Sequence, residues 1–385
     1  MNRNKKKKIA YISGTRADFG LMTSILYAIK KSPKLDLQIY ATGIHLMPEF
    51  GKTVRDVLGE FPRAKIINSI FKTDGRLGAA EFSGNFLQKL IAVFKKDQPD
   101  FVLTLGDRPE MLCVALACLY LGIPTGQLHA GDRSSTVDEL ARHAITKLSQ
   151  LNFPATKEAA ARVIKMGEDA WRTHVVGAPA LDVILRGKLF TRAKLFKDLD
   201  LNFKGRFILL TQHPVSEDWQ QAGEQAVEVI SAVESVGLPV VVVYPHADAG
   251  GRKIIKEIEK RKNNPLFHIF KNIPHKKFLS LEREAAVWVG NSSGLMIESA
   301  SFKIPVVNVG DRQAGRQHGE NVINVGYDRK EIESAIRKSL DDRNYIEKLK
   351  KIKNPWGDGK SAGRIVRILE NLNIDKKLLA KKISY

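Results

Sequence analysis

Short apolar runs alternate with helix-forming stretches along nearly the whole chain. The runs read IAYIS, LQIYAT, FVLTLG, PTGQLH, HVVG, FILLT, PVVVVYP, HIF, AVWVG and PVVNVG. Runs that are apolar throughout and rich in β-branched residues are typical of parallel strands buried on both faces. The stretches between them, such as residues 20–31, 110–121 and 220–235, have helical character. This alternation predicts an α/β fold with helices on both faces of parallel sheets.

The alternation is interrupted once, over residues 177–205, where a charged, helix-forming stretch precedes a new strand at Phe207. A chain of 385 residues is long enough for two domains. We therefore expect two Rossmann-like, doubly wound domains facing a central cleft, over residues 1–178 and 179–360. A final apolar stripe predicts a helix over 361–372, and we expect residues 361–385 to pack back on the first domain.

The chain is strongly basic, with 62 Lys and Arg against 42 Asp and Glu and a net charge of +20. Such a charge invites a nucleic-acid interpretation. Zinc-finger spacing, RNA-stacking motifs and basic heptads are missing, so we expect no nucleic-acid partner. Part of the excess lies in lysine-rich tails, residues 3–8 and 376–382, which we expect to fray. The remaining charge is better suited to a small polyanion such as a nucleotide.

Neither a membrane span nor export is expected. The longest apolar run is far shorter than the roughly 20 residues that a bilayer requires. The basic N-terminus lacks the apolar stretch of a signal peptide. Cys113 and Cys118 would point to different sides of one helix, which favours free thiols and a cytoplasmic location.

Glycine and polar residues follow seven of the predicted strands. Open α/β sheets bind ligands beyond the carboxyl ends of their strands. One such loop is often only a turn, but seven together predict a binding cleft. These loops are residues 14–18, 106–108, 129–133, 212–214, 245–250, 291–294 and 310–313.

Two of these loops have the composition of a nucleotide site. Ser292, Ser293 and Gly294 precede a predicted helix, where small residues let the backbone approach a phosphate. The alternative is an ordinary serine N-cap. Glu298 would accept ribose hydroxyls or be a solvated helix residue. Arg312 and Arg316 would neutralise a diphosphate or be surface charges. No P-loop and no clean GxGxxG is present, which argues against a nicotinamide dinucleotide.

Candidate acid/base groups lie in the other loops. Asp107 precedes Arg108, which would hold it ionised unless the pair is structural. Asp138 lies in the first turn of a predicted helix, with Arg142 within pairing reach. His213 would bind phosphate or transfer protons, or be only a loop residue. The scattered histidines and cysteines show no metal-ligand spacing.

Taken together, these motifs resemble those of the hydrolysing UDP-N-acetylglucosamine 2-epimerases, which have a glycosyltransferase-B-like fold. The resemblance covers residues 8 to about 370. Non-hydrolysing members typically carry Pro-Glu and Thr where this chain has Ala17-Asp18 and Arg108, so the hydrolysing branch fits better. The matching stretches are GTRADFG (14–20), GDRPE (106–110), HAGDRSSTVDELARHAITKLS (129–149), VVGAPALD (175–182), QHP (212–214), GNSSGLMIE (290–298), NVGDRQAGR (308–316) and NPWGDGKSAGRIVRIL (354–369).

The resemblance implies an enzyme that converts UDP-N-acetylglucosamine and water to N-acetylmannosamine and UDP through a 2-acetamidoglucal, in sialic-acid-type biosynthesis. It requires no cofactor and no metal. It also implies a homo-oligomer, a dimer or a tetramer. The implied catalytic residues are Asp107, Asp138 and His213, and the implied UDP contacts are Arg16, Arg108, Ser292, Ser293, Glu298 and Arg312. From the same loops we add Asp132, His246 and Gly294 as substrate-binding candidates.

One position departs from the family pattern. Many members carry HIEGGE where this chain has QLHAGD, so that His129 replaces the first glutamate and Asp132 the second. His129 is a competent base as a neutral imidazole and is therefore a fourth catalytic candidate. Alternatively, the replacement marks a subgroup acting on N,N′-diacetylbacillosamine nucleotides of the legionaminic-acid route. A non-hydrolysing epimerase, a glycosyltransferase of the same fold and a binding protein without turnover are further alternatives.

Overall fold

The computed structural model describes residues 6–73, 75–134, 137–215, 217–246 and 248–385. These residues contain two six-stranded parallel sheets. The strands of the first sheet are β1 (Lys7–Ser13), β2 (Leu35–Ala41), β3 (Lys65–Ile66), β4 (Phe101–Leu105), β5 (Thr125–Leu128) and β6 (Leu151–Phe153). The strands of the second are β7 (Ile208–Thr211), β8 (Val240–Val243), β9 (Phe267–Phe270), β10 (Val287–Gly290), β11 (Val306–Val309) and β12 (Val322–Val325).

Helices follow most of the strands. The helices that accompany the first sheet are α1 (Arg16–Lys31), α2 (Val54–Glu60), α3 (Arg76–Asp97), α4 (Pro109–Leu121), α5 (Val137–Leu148) and α6 (Lys157–Lys165). The later helices are α7 (Ala180–Arg186), α8 (Arg192–Asp198), α9 (Ala222–Ser235), α10 (Gly251–Glu259), α11 (His275–Glu284), α12 (Ser293–Ile297), α13 (Ser299–Phe302), α14 (Arg329–Asp341), α15 (Arg343–Leu349), α16 (Ser361–Asn371) and α17 (Lys376–Leu379). Short 3-10 helices cover Gly43–Leu46, Pro48–Phe50, Ala170–Arg172 and Trp219–Gln221.

The strand order is the same in both sheets and confirms the predicted pair of Rossmann-like folds. The first sheet runs β3-β2-β1-β4-β5-β6, and the second, read from its other edge, runs β9-β8-β7-β10-β11-β12. The order reverses between β1 and β4, and again between β7 and β10. Ligands of doubly wound sheets bind at such a reversal. The loops after these four strands are therefore where the fold favours a site.

One strand of the first sheet was predicted at the wrong position. The predicted strand HVVG makes only two backbone hydrogen bonds, from His174 to Asn152 and from Val176 to Pro154, beside a single bridge at Thr173. The sixth strand is instead Leu151–Phe153, which is only three residues long. So short a segment directly after a helix does not stand out as an apolar run, and β3 and β12 were missed as well.

The predicted helix over 295–302 is broken in the structure. It consists of α12 and α13, and Glu298 lies between them. Glu298 is only 4% exposed, so it is not a solvated helix residue. The break turns its side chain into the protein.

Both ends of the described chain are tied to the first sheet. Ile365 and Leu369 of α16 share a core with Ile9 of β1 and Met22 of α1. The Nζ of Lys7 donates to the carbonyls of Leu369 and Leu372, over 2.7 and 2.6 Å, at the end of α16.

The last residues also pack on this sheet. Lys381 Nζ donates to the carbonyls of Thr146, Lys147 and Ser149, over 2.7–2.8 Å, at the end of α5. The expectation that the tails fray is therefore wrong for Lys7 and Lys381, because each side chain caps the carboxyl end of a helix. The rest of the basic N-terminus, residues 1–5, lies outside the described residues.

Cys113 and Cys118 are both buried and free. Within the described ranges, no helix combines the length and the apolar composition that a bilayer crossing needs.

Candidate active site

All seven strand-end loops contribute residues to one cleft between the two sheets. The cleft has two adjoining compartments that share Ala17, Leu21, His246 and Ser293. One compartment is lined mainly by the first sheet's loops, with Asp107, Asp138 and His129. The other is lined mainly by the second sheet's loops, with His213, Ser292 and Glu298. The candidate carboxylates Asp107 and Asp138 therefore lie in the first compartment together with Arg312, and His213 lies in the second.

Asp107, directly after β4, is paired with Arg142 rather than with Arg108. Arg142 lies on α5 and is 1% exposed. Its guanidinium also donates to the carbonyl of Asp132, over 2.9 Å, and to Ser134 Oγ, over 3.2 Å. Arg142 thus fixes the loops after β4 and β5 relative to each other and holds a positive charge against the Asp107 carboxylate.

Arg108 is engaged by two other carboxylates. Its Nε donates to Glu110 and its Nη1 to Asp248, each over 3.3 Å. Asp248 belongs to the second sheet, so this pair crosses the cleft. The expectation that Arg108 holds Asp107 ionised is wrong, because Arg108 is the N-cap residue of α4 and its side chain reaches away from Asp107.

Asp138 lies in the first turn of α5, and its ion-pair partner is Arg312. Its carboxylate lies 3.8 Å from the Arg312 guanidinium, which comes from the second sheet. Burial and the negative charge of Asp107 raise the pKa of Asp138 to about 6, although Arg312 opposes the shift. A carboxyl with such a pKa exchanges protons readily near neutral pH.

His129 and Asp132 form a dyad after β5. His129 Nδ1 lies 2.8 Å from Asp132 Oδ2, so Nδ1 donates to the carboxylate, and in a neutral ring the lone pair is then on Nε2. Burial alone would raise the pKa of Asp132, but His129, Arg316 and Arg142 hold it below its usual value. The backbone of His129 is left-handed, with φ of 58°. A buried non-glycine residue in this conformation is costly and is typical of functional sites.

His213 and His246 stack on each other beside the second compartment. Their ring centroids are 4.6 Å apart, and the backbone N–H of His246 donates to His213 Nδ1 over 3.3 Å. That bond places the remaining hydrogen of a neutral His213 on Nε2. Burial, with the nearby charge of Arg108, lowers the pKa of His246 to about 3. Burial and His246 lower the pKa of His213 as well. Both rings are therefore neutral at pH 7.

Four of the predicted UDP contacts, Arg16, Ser292, Ser293 and Glu298, line the second compartment, whereas Arg108 and Arg312 line the first. Ser292 occupies the N-cap position of α12, but its side chain makes no capping bond there. Gly294 has no room for a side chain, since a Cβ would lie 2.9 Å from Trp288 and 3.1 Å from Glu298. Arg16 begins α1, and burial lowers its pKa to about 10, so it stays charged. The compartment thus offers a cation, two hydroxyls and a close backbone approach.

Several residues of the cleft were missed from the sequence. Arg142 was expected to pair with Asp138, whereas it pairs with Asp107. Asp248 was not singled out, although it lies in one of the seven loops. Gln313 donates to the carbonyl of Asn291 over 3.0 Å and lines the first compartment. Asp248 and Gln313 were signalled only by their place in the strand-end loops. Arg316, which the sequence offered with Arg312 as a cation for the diphosphate, donates across the cleft to the carbonyl of Arg133 over 2.9 Å.

Among the described residues, the polar contacts between the two halves include Arg108 with Asp248, Arg312 with Asp138, Arg316 with Arg133, Val137 with Glu217, and Arg252 with Glu49. Throughout the described residues, no three His, Cys, Asp or Glu side chains are grouped so that they could hold a metal ion.

Comparisons with known proteins agree with this geometry. The family model for UDP-N-acetylglucosamine 2-epimerase matches residues 27–370. The chain is 36% identical to the UDP-N,N′-diacetylbacillosamine 2-epimerase (hydrolyzing) of Legionella pneumophila, over 98% of this chain and 100% of that one. It is 31% identical to the GDP/UDP-N,N′-diacetylbacillosamine 2-epimerase (hydrolyzing) of Campylobacter jejuni, over 96% and 97%.

Solved structures show the same fold. A UDP-GlcNAc 2-epimerase from Methanocaldococcus jannaschii, in complex with UDP-GlcNAc and UDP, superposes with a TM-score of 0.78. The alignment covers 94% of this chain and 99% of that one, at 23% identity.

Proposed function

Since this chain belongs to the UDP-N-acetylglucosamine 2-epimerase family, we propose that it is a hydrolysing 2-epimerase that acts on UDP-N,N′-diacetylbacillosamine. The observation that most supports this proposal is the similarity to the Legionella pneumophila enzyme, which extends over 98% of this chain and 100% of that one. A Neisseria meningitidis UDP-N-acetylglucosamine 2-epimerase is 31% identical over 86% of this chain. UDP-N-acetylglucosamine, the substrate first expected from the motifs, is therefore the second candidate.

The reaction requires the C1–O bond to break before the C2 proton is removed, or at the same time. No carbonyl lies next to C2, so a free carbanion there is too unstable. As UDP leaves with the C1–O electron pair, a base takes the C2 proton and a C1=C2 double bond forms. Water then adds its oxygen to C1, and a proton returns to C2 from the opposite face. The site must supply acid/base groups around the sugar and positive charge near the diphosphate.

His129 is suited to remove the C2 proton. Its Nδ1 is occupied by Asp132, so the free Nε2 lone pair is the acceptor. We assign the returning proton to Asp138, whose pKa of about 6 lets it carry one near neutral pH. Asp107, fixed by Arg142, takes a proton from the attacking water.

The leaving diphosphate is assigned to the cations and neutral donors of the cleft. Arg16 and Arg312 supply charge, while Ser292 and Ser293 supply hydroxyls. His213 adds a neutral Nε2–H donor. Arg108 acts indirectly in this proposal, because Glu110 and Asp248 already neutralise it. The homo-oligomer stays a prediction.

The substrate is tested by incubating the protein with each nucleotide sugar separately and following products by NMR. The proposal expects free 2-epimerised diacetamido sugar and UDP, with slower turnover of UDP-N-acetylglucosamine. The reverse preference favours the second candidate. A product that retains UDP indicates a non-hydrolysing epimerase. No turnover of either compound contradicts both.

A further inference from the structure

Glu282 is a buried carboxyl that the proposed mechanism does not use. It lies on α11 and is 0% exposed. Among the described residues, no N–H or O–H group donates a hydrogen bond to either of its oxygens. A buried carboxylate without donors is strongly destabilising, so Glu282 must be neutral or share its charge.

The side chain of Glu282 is in contact with the carboxyl of Glu298. Glu298 sits at the break between α12 and α13, and helices α11 and α13 pack together. Burial and the adjacent Glu298 raise the pKa of Glu282 well above its usual value. Two carboxyls in contact cannot both ionise in a buried setting, so the pair holds one proton. That proton makes Glu282 the donor and Glu298 the acceptor.

Glu298 is also part of the wall of the second compartment, beside Arg16 and Ser292. Its oxygens stand close to the chain at Gly294, where a Cβ would lie 3.1 Å from Glu298 Oε2. The carboxylate is thus confined from one side by the backbone of α12 and from the other by Glu282.

We infer that Glu282, in its protonated form, is a positioning residue that orients the Glu298 carboxylate to accept the ribose hydroxyls of the nucleotide. The inference rests on the proposed function, which brings a uridine nucleotide into this compartment. A carboxylate that accepts one hydrogen bond from Glu282 keeps its other lone pairs for the 2′- and 3′-hydroxyls. Without that donor, Glu298 would rotate or take up the proton itself, and it would lose its value as an acceptor.

The role predicts a difference between UDP and 2′-deoxy-UDP, measured by titration calorimetry. Wild type should bind UDP about tenfold more tightly than 2′-deoxy-UDP, the difference expected for one hydrogen bond to a charged acceptor. Glu282→Met should weaken UDP binding by about tenfold and erase the preference. Glu282→Gln should keep both within about threefold of wild type, because its amide N–H replaces the carboxyl donor. Glu284→Gln, which changes a partly buried carboxylate on the same helix that pairs with Arg283, is the matched control and should alter neither.

A second measurement does not depend on nucleotide binding or on the folding of Glu282→Met. The infrared difference spectrum of wild type minus Glu282→Gln should contain the C=O stretch of a protonated carboxyl at pH 7. Absence of that band, or unchanged UDP preference in a folded Glu282→Met, would overturn the inference. Failure of wild type to bind UDP would instead contradict the proposed nucleotide site, while the infrared band would still report on the shared proton.

Discussion

Replacing Arg142 with glutamine should destabilise the protein through Asp107. The Arg142 side chain is 2% exposed and that of Asp107 is 21% exposed. Removing one partner of a buried ion pair costs about 3–5 kcal/mol, because the other charge is left unpaired. Because about one fifth of the Asp107 side chain is exposed to water, we expect a loss of stability at the low end of that range, about 3 kcal/mol. The glutamine amide should replace at most one of the two hydrogen bonds that Arg142 donates to the Asp132 carbonyl and to Ser134 Oγ.

The assay is urea unfolding of wild type, Arg142→Gln, Asp107→Asn and the double variant. A loss of about 3 kcal/mol should lower the midpoint by roughly 1 M, for a slope of about 3 kcal/mol per M. The double variant should be about 1–2 kcal/mol more stable than Arg142→Gln, because it no longer holds an unpaired buried charge. Lys350→Gln, which removes an exposed pair with Glu347, is the control and should leave the midpoint unchanged. A double variant no more stable than Arg142→Gln would refute the argument.

Further predictions concern catalysis, pH and binding. His129→Ala should lower kcat at least about 100-fold while UDP affinity stays near wild type; full activity would exclude it as the C2 base. Arg312→Gln should raise the pKa of Asp138, so the pH–rate limb that reports on it should move upward by at least about 0.7 unit, the effect of a charge at about 4 Å even in water. Gly294→Ala should weaken UDP binding without unfolding the protein, because its Cβ would press on Trp288 and Glu298; unchanged calorimetric affinity would contradict this. Because His246 resists protonation when folded and accepts it near pH 6.5 when unfolded, the melting temperature should fall as the pH drops from 6.5 towards 4. His246→Gln should reduce that loss.

The sequence was sufficient to predict the architecture, because strands buried on both faces are apolar throughout and the chain alternates regularly. It was also sufficient to locate the loops of the cleft, since the carboxyl ends of parallel strands must meet at one edge. It was insufficient for the pairing inside the cleft. Asp107 and Arg142 are 35 residues apart, and their contact depends on how the loops after β4 and β5 meet.

Local patterns also misled where tertiary contacts decide the outcome. Glu298 lies in a helix-forming stretch, yet the helix breaks there and the side chain turns inward to Glu282. The neighbouring arginine looked like the partner of Asp107 because it is adjacent, whereas α4 directs Arg108 across the cleft to Asp248.

The packing of α16 against α1 affects the order in which the molecule can form during synthesis. Strands β1 to β6 leave the ribosome first, yet their core lacks Ile365 and Leu369 until the second sheet has been made. At about 5–20 residues per second, the chain between Phe153 and Leu369 takes roughly 10–40 s to translate. During that interval an apolar face of the first sheet's helical layer remains uncovered and open to chaperones. The strands of the second sheet and the helices up to α14 are all synthesised before α16, so the second sheet is complete before the core of the first.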